Sequence, residues 1–444
     1  MTLNGNDDYA LSRVPTSARR SWFGLAVQRF GQLSALVQFL VGAALGFGMN
    51  FWDAFLALTL GSVILELVAI AIGVIGVREG LSTTVLARWT GFGQGGSALL
   101  GLLIGLSVTV AFGIQSAVSA EGLVALFGGL PSWAWSLVFG LSVTAIVVMG
   151  IRSMAWTAYL TVPVFLALVA WSVGRALTSH SIGDLIPGSP PGPPMTLVQG
   201  TTMVAGSFIV GAVITADMTR FNRSVKDVVK QTLVGVTLGE YVIGLAGVLL
   251  AHASRSSDVI AIVVSNVGWV GALIIVGATL KINDWNLYSA SLGTVGFLEA
   301  ITGRRMHRGV VTVVLGVTGS ALAAAGVLTQ FATVLGVLGY VFPPVAGVML
   351  AEYFVVRRWR PELDASRASG TLPDTAPQWV PATLVVWAAS ATVGGTVSFG
   401  FPSINALVCA FVLYTVAGKA GLVHAFGATR RNPAVTADGA VLDA

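Results

Sequence analysis

Leu25-Ala-Val-Gln-Arg-Phe-Gly-Gln-Leu-Ser-Ala-Leu-Val-Gln-Phe-Leu-Val-Gly-Ala-Ala-Leu-Gly-Phe-Gly48 is an apolar run interrupted around Gly31 by Arg29, Gln32 and Ser34. About 20 apolar residues suffice to cross roughly 30 Å of hydrocarbon as a helix. A helix that carries an arginine at that depth must turn it toward protein or a cavity. Comparable runs follow at 53–76, 97–120, 131–150, 154–176, 197–216, 231–252, 263–290, 309–326, 329–355, 379–398 and 402–422. Taken in order with 25–48, these are spans 1 to 12. Of the 444 residues, 55% are hydrophobic and 10% charged, with a mean hydropathy of +0.84. No water-soluble domain of this size normally has that balance, so the solvent is lipid. Alternating ten-residue segments are absent, which excludes a membrane β-barrel and leaves an all-α polytopic protein of about 12 helices.

Positive charge collects in the N-terminal tail, around Arg78 and Arg88, at Arg152, at Arg220/Arg223/Lys226/Lys230, at Arg304/Arg305/Arg308, at Arg357/Arg358/Arg360/Arg367 and at Lys419/Arg430/Arg431. The alternate loops hold only Arg175 and Arg255. Lysine and arginine mark the cytoplasmic side. Both termini are therefore expected in the cytoplasm, in a cell inner membrane. The net charge of +5 is a topology signal rather than a nucleic-acid footprint. The first twenty residues lack an apolar core, so no cleavable signal peptide is expected. A single cysteine, Cys409, excludes a disulfide framework.

Pro187-Gly-Ser-Pro-Pro-Gly-Pro-Pro194 is a semi-rigid external connector near the middle of the chain. Span 6 carries Gly206-Ser207 at a depth comparable to Gly31 of span 1, so the first helix of each half reads as breakable there. Paired interruptions point to an inverted-repeat transporter with its site at mid-membrane. The expected organisation is a cytoplasmic tail 1–24, a first five-helix repeat 25–176, the connector 177–196 and a second repeat 197–355. A cytoplasmic loop 356–378, spans 11 and 12 within 379–425, and a disordered tail 426–444 complete it. Gly42/Gly46 and Gly101/Gly105 fit close helix contacts of the small-xxx-small kind.

Five stretches in order resemble the nucleobase-cation symporter family, in particular its cytosine permease branch. They are Val14-Pro-Thr-Ser-Ala-Arg19, Gly80-Leu-Ser-Thr-Thr-Val-Leu-Ala-Arg88, Gly206-Ser-Phe-Ile-Val-Gly-Ala-Val-Ile-Thr-Ala-Asp217, Asn283-Asp-Trp-Asn-Leu-Tyr-Ser-Ala-Ser-Leu-Gly293 and Phe342-Pro-Pro-Val-Ala-Gly-Val-Met-Leu-Ala-Glu352. The resemblance implies a leucine-transporter-like 5+5 inverted repeat plus two helices, working by alternating access. It implies a pocket between broken helices 1 and 6 and helices 3 and 8. There Phe208 would stack on the substrate, and Gln115 and Asn283 would read its edges. Gly206 and Ser207, with Ser34 and Ala35, would lie where the two helices unwind.

Two departures qualify the substrate and the ion. Relatives commonly carry tryptophan four residues before the span 3 glutamine, whereas this chain has Ala111, so Phe112 or another ring has to fill the gap, or the pocket takes a bulkier or non-aromatic solute. Sodium-coupled members use two hydroxyl side chains in span 8, where this chain has Lys281 and Ile282. A like charge about 4 Å from sodium costs about 4 kcal/mol at an effective dielectric of 20, so sodium is not expected there. The Lys281 ammonium is expected to occupy the vacated site and bond the carbonyls near Gly31, the alternative being a lysine that snorkels to the interface or pairs with an acid. Glu66 or Glu240 is the candidate proton carrier, with Arg29 or Lys281 as its partner. Arg29 and Asp284 also fall inside predicted spans, and such groups are paired or line cavities.

Gly91-Phe-Gly-Gln-Gly-Gly96 matches a dinucleotide fingerprint but follows a membrane helix and no strand, so it reads as a flexible cytoplasmic loop. The four histidines are spread over loops on both sides of the membrane and do not converge as a metal site. No catalytic constellation, metal or cofactor is expected. The expected function is import of a nucleobase or related nitrogen heterocycle of the cytosine, purine, allantoin or hydantoin class. The alternatives are a carrier of another small amine or amide and, more remotely, a membrane-embedded enzyme or receptor. The partners anticipated are that solute, protons and the lipid bilayer, with no nucleic acid, for a monomer.

Overall fold

A computed structural model describes residues 9–33, 36–151, 153–157, 159, 163, 164, 167, 170, 171, 174, 186, 189–256, 269–304, 306–330, 337–427 and 430–431. Five helices are long and apolar enough to cross a membrane alone: Phe51–Glu79, Thr83–Phe127, Val225–Ser254, Val337–Val356 and Pro402–Lys419. Trp22–Leu33 and the helix that follows it make a sixth as a pair bent by 54°. Shorter apolar helices run over Ser132–Val148, Leu197–Val213 and Arg308–Ala324. Most of span 5, and Ser34 and Ala35, lie outside the described residues.

Local chemistry sets the helix ends. Asn50 caps Phe51–Glu79 by accepting from the Asp53 amide at 2.9 Å, and Gly80, with φ of +64°, closes it by donating to the Gly76 carbonyl. Thr196 and Gln199 form a capping box at the start of span 6. Span 8 runs over Trp269–Thr302, twelve residues beyond its apolar window. On the extension Glu299 pairs with Arg88.

Span 1 packs on span 7, span 2 on span 6, span 3 on span 8, and span 4 on span 9. An operation that exchanges spans 1–5 with 6–10 maps this set onto itself, swapping 1–7 with 2–6 and returning 3–8 and 4–9 to themselves, which is the symmetry of a five-plus-five inverted repeat. Glycine makes the closest crossings. A Cβ on Gly42 would sit 2.1 Å from the Gly244 carbonyl oxygen, and one on Gly101 would sit 2.4 Å from that of Gly293.

Four expectations need correction. Span 6 does not unwind at Gly206-Ser207: its helix is continuous from Leu197 to Val213, turns at Ile214-Thr215 and resumes over Ala216–Thr219. The 91–96 stretch is a buried π turn, Arg88–Phe92, leading straight into span 3. Gly95 lies so close to Trp379 that a Cβ would approach its indole to 2.2 Å, so packing immobilises the segment. Within the cytoplasmic loop 356–378, Arg360–Ser369 is helical. At the C-terminus, Phe426 pairs with Trp379, and Arg430–Arg431 forms a two-residue ladder with Thr375–Ala376 before residues 432–444, which lie outside the described set.

The N-terminal segment is tied down as well. Arg13 donates to the Glu79 carboxylate at 3.0 Å, to Ser366 Oγ at 2.9 Å and to the Thr371 carbonyl at 2.7 Å. Burial lowers the Arg13 guanidinium from its ordinary value, and Glu79 opposes the shift. Arg220, at the inner end of span 6, donates to the Tyr9 carbonyl at 2.8 Å. These contacts clamp the N-terminal segment across the C-terminal ends of spans 2 and 6.

Candidate functional site

Residues on either side of the span 1 bend, Leu33 and Val37, and those of the span 6 turn, Ile214 and Thr215, line one cavity of about 120 Å³. That is well below the several hundred Å³ that accommodate drug-sized ligands, so the solute is small. Spans 1, 3, 6 and 8 supply nearly all of its wall, each through one helical face. Span 8 contributes Ile282, Trp285, Asn286 and Ser289, a spacing of three and four. Span 3 contributes Val108, Ala111, Ile114 and Gln115 on the same rule.

The helical phase separates the site residues anticipated from sequence. Gln115, Gly206, Ser207 and Phe208 all line the cavity. Asn283 does not: it lies one position off the cavity face of span 8 and is fully buried. Its amide donates to the Phe112 carbonyl at 3.1 Å and to Ser116 Oγ at 3.0 Å, tying span 8 to span 3. Asn286, one turn on, takes the cavity position and donates to Asn283 Oδ1 at 3.3 Å.

Gly206 opens space rather than breaking the helix, because a Cβ there would meet nothing within 4 Å. Ser207 Oγ sits 2.7 Å from the Val204 carbonyl and 2.8 Å from Gln38 Oε1, so its one hydroxyl proton is shared between two acceptors. Ser34 and Ala35 lie outside the described residues, while Gly31 is buried in the inner half of span 1 and does not border the cavity.

Trp285 answers the missing span 3 aromatic. It enters from span 8, so Phe208 and Trp285 present two ring systems in one cavity lined also by Ala111. Phe112 points elsewhere and packs against Gly319 of span 9. Sequence reasoning missed Trp285 although Ile282, Trp285, Asn286 and Ser289 already share a helical face.

The ionic expectations also change. Lys281 does not reach Gly31; its ammonium donates to the Met154 carbonyl at 3.0 Å, to Thr157 Oγ1 at 3.3 Å and to the Asp284 carboxylate. The geometry follows from the spacing, since residues i and i+3 share a helix flank and this flank faces the start of span 5. Glu66 accepts from Thr237 Oγ1 at 2.6 Å. Glu240 sits in a π turn, Glu240–Gly244, that interrupts span 7. It is fully buried, and its carboxylate faces the Gln38 amide without closing a hydrogen bond of ordinary geometry. Gln38 and Glu66 are the polar groups that face it.

Arg29, expected as a partner of the proton carrier, and Asp217, expected as a helix-end or gate contact, both border the cavity. Asp217 Oδ1 accepts from the Thr83 amide at 2.7 Å, and Arg220 is its electrostatic partner.

Comparison with known proteins agrees with this arrangement. Residues 13–419 match the family described as "Permease for cytosine/purines, uracil, thiamine, allantoin". The chain is 28% identical over 407 residues to the cytosine permease of Escherichia coli (strain K12), covering 89% of this chain and 94% of that one. It is 25% identical over 400 residues to the hydantoin permease of Microbacterium maritypicum, with 80% and 76% covered. Among solved structures, the inward-facing conformation of Mhp1 superposes with a TM-score of 0.76 at 20% identity, covering 94% of both chains. A closed form of Mhp1, a nucleobase-cation-symport-1 family transporter with bromovinylhydantoin bound, gives 0.75 at 21% identity, with 94% of this chain and 97% of that one covered. A sodium-coupled sialic acid symporter shares the fold at 0.61 and 14% identity, over 97% and 94% of the chains.

Proposed function

The chain belongs to the family of permeases for cytosine/purines, uracil, thiamine and allantoin, and from that premise we propose that its central cavity binds a planar nitrogen heterocycle of the nucleobase or hydantoin kind. It is a membrane transporter and no enzyme; the identity of the cargo and of the coupling ion is our reading. The observation that carries it is the meeting of Phe208 and Trp285 with the amides of Gln38, Gln115 and Asn286 in one small space. Ring faces stack on a planar base, and side-chain amides offer the paired donors and acceptors that its edges require. The family alternatives that are simple amines are disfavoured, because the Arg29 guanidinium at the wall repels a cation. The charge distribution of the loops supports an inner-membrane protein with both termini in the cytoplasm, acting as a monomer.

Coupling proceeds without sodium at span 8. Lys281 stands where hydroxyl ligands would be, and its own counterion, Asp284, holds it there. The coupling ion is a proton carried by Glu240. A carboxylate buried in a membrane protein without a closed hydrogen bond is costly unless neutralised, and Gln38 links Glu240 to the cavity. Gln38 Oε1 faces Ser207 Oγ at 2.8 Å, while Gln38 Nε2 lacks an acceptor among the described residues. Rotating that amide exchanges donor and acceptor. With Glu240 protonated, the acid donates to the Gln38 oxygen and the amide nitrogen turns toward the cavity wall. With Glu240 ionised, the nitrogen turns back to it. Glu66 is held by Thr237.

Uptake of labelled heterocycles into proteoliposomes tests both parts. An inward proton gradient is expected to drive accumulation, a sodium gradient at fixed pH to add nothing, and Glu240→Gln to abolish proton drive while retaining exchange of internal for external substrate. Clear stimulation by sodium at fixed pH overturns the coupling scheme, and failure of every base, ureide and hydantoin to be exchanged overturns the cargo.

A further inference from the structure

Arg29 belongs to the cavity wall. Its side chain borders the cavity and is only 1% exposed. One terminal nitrogen donates to Gln32 Oε1 at 3.3 Å, the other to Thr215 Oγ1 in the span 6 turn, and Nε has no acceptor among the described residues. Every one of these partners is neutral. Three other buried cations carry a carboxylate, Arg13 with Glu79, Arg88 with Glu299 and Lys281 with Asp284, while Arg220 faces Asp217 and Arg308 donates to the main-chain carbonyls of Val147 and Val148. None of the described ion pairs includes Arg29.

Acids are near but engaged elsewhere. Asp217, on the same cavity wall, is bound by the Thr83 amide and faces Arg220. Glu240 faces Gln38 and Glu66. The guanidinium is also deliberately seated. Its aliphatic stem runs over Gly235 of span 7, where a Cβ would come within 2.6 Å of Arg29 Cβ and Cγ, and its Cζ lies 5.9 Å from the centroid of the Phe208 ring. A planar, permanently charged fork therefore stands at the edge of the space that the ring of Phe208 walls.

We propose that the cargo is an anionic nitrogen heterocycle, one bearing a carboxylate or an ionised ring N–H, whose negative edge pairs with Arg29 while its ring lies against Phe208. The proposal rests on the reading of this cavity as the cargo site and narrows its substrate class. A guanidinium matches the two oxygens of a carboxylate, or an oxygen and nitrogen of an ionised imide, through parallel hydrogen bonds. A neutral base leaves the buried charge without a counterion, and the missing pair costs most of the affinity. One proton on Glu240 accompanying one monoanion makes the transport step electroneutral, so the inside-negative membrane potential does not oppose import.

Matched pairs of ligands test this on purified full-length protein by calorimetry or tryptophan quenching: uracil against uracil-6-carboxylate, hypoxanthine against urate, and cytosine as a neutral reference. In the wild type the acidic member is expected to bind tighter than its neutral partner by on the order of 100-fold. Arg29→Met is expected to erase that preference, read as the ratio of acidic to neutral affinity within each pair. Arg29→Lys retains part of the preference, and the wild-type comparison decides the matter even if Arg29→Met does not fold. Equal affinity for acidic and neutral members of each pair overturns the anion proposal and leaves the heterocycle reading standing. Binding of none of these compounds overturns both.

Discussion

Arg29 in span 1 and Lys281 in span 8 are equally hidden, at 1% and 2% exposed, yet the fold neutralises only one of them. Lys281 has Asp284 three residues on, in the same helix, and two oxygen acceptors from the start of span 5. Arg29 has an amide, a hydroxyl and a free N–H. A buried pair whose members satisfy one another is part of the scaffold, and breaking it leaves an uncompensated charge in the interior. A buried cation beside a cavity, without its own acid, is completed by whatever occupies that cavity. The two cations thus divide the molecule into a permanently assembled spans 5–8 contact and a site finished by its cargo.

The largest effect expected from this contrast is on stability. Asp284→Ala strands Lys281 and is expected to destabilise the protein by about 3–5 kcal/mol, read as a drop in the melting temperature of the purified protein. The double substitution Lys281→Met with Asp284→Leu is expected to recover most of the loss while transport persists. Melting of Asp284→Ala at the wild-type temperature breaks the contrast at its structural end. On the cargo side the effects are smaller and are seen only with ligand. Phe208→Ala removes one stacking face worth about 0.5–1.5 kcal/mol beyond area burial. It is expected to weaken heterocycle binding by roughly tenfold while the ligand-free melting temperature barely moves. A loss of stability without a change in affinity assigns Phe208 to packing instead.

How legible these regions were follows from their physics. The apolar windows, the loop charges and five short motifs are one-dimensional signals, and they led to a helical transporter with the matching family and fold. Gln115 and Phe208 reached the cavity because their helices keep the phase that the motifs implied. Asn283 and Asn286 sit three apart in one motif, and only the rotation of span 8 against span 3 decides which one meets solute; Ile282 and Ser289 on the cavity face carried that information. The break of span 6 was misplaced because glycine and serine are tolerated inside membrane helices, whereas the actual turn at Ile214-Thr215 contains neither glycine nor proline. Lys281 was recognisable as foreign to a sodium site. Its direction was not, since a four-carbon stem reaches either flank and a partner at i+3 wins over carbonyls on another helix.

The most direct test compares the ligand-free thermal stability of Arg29→Met and Lys281→Met with that of the wild type. Removing a charge that the scaffold never neutralised is expected to leave the Arg29 variant as stable as the wild type or more so, while the Lys281 variant, with Asp284 left unpaired, melts markedly lower. Equal and substantial losses in both would mean that Arg29 is as much a part of the scaffold as Lys281, and the assignment of the cavity guanidinium to the cargo would fall.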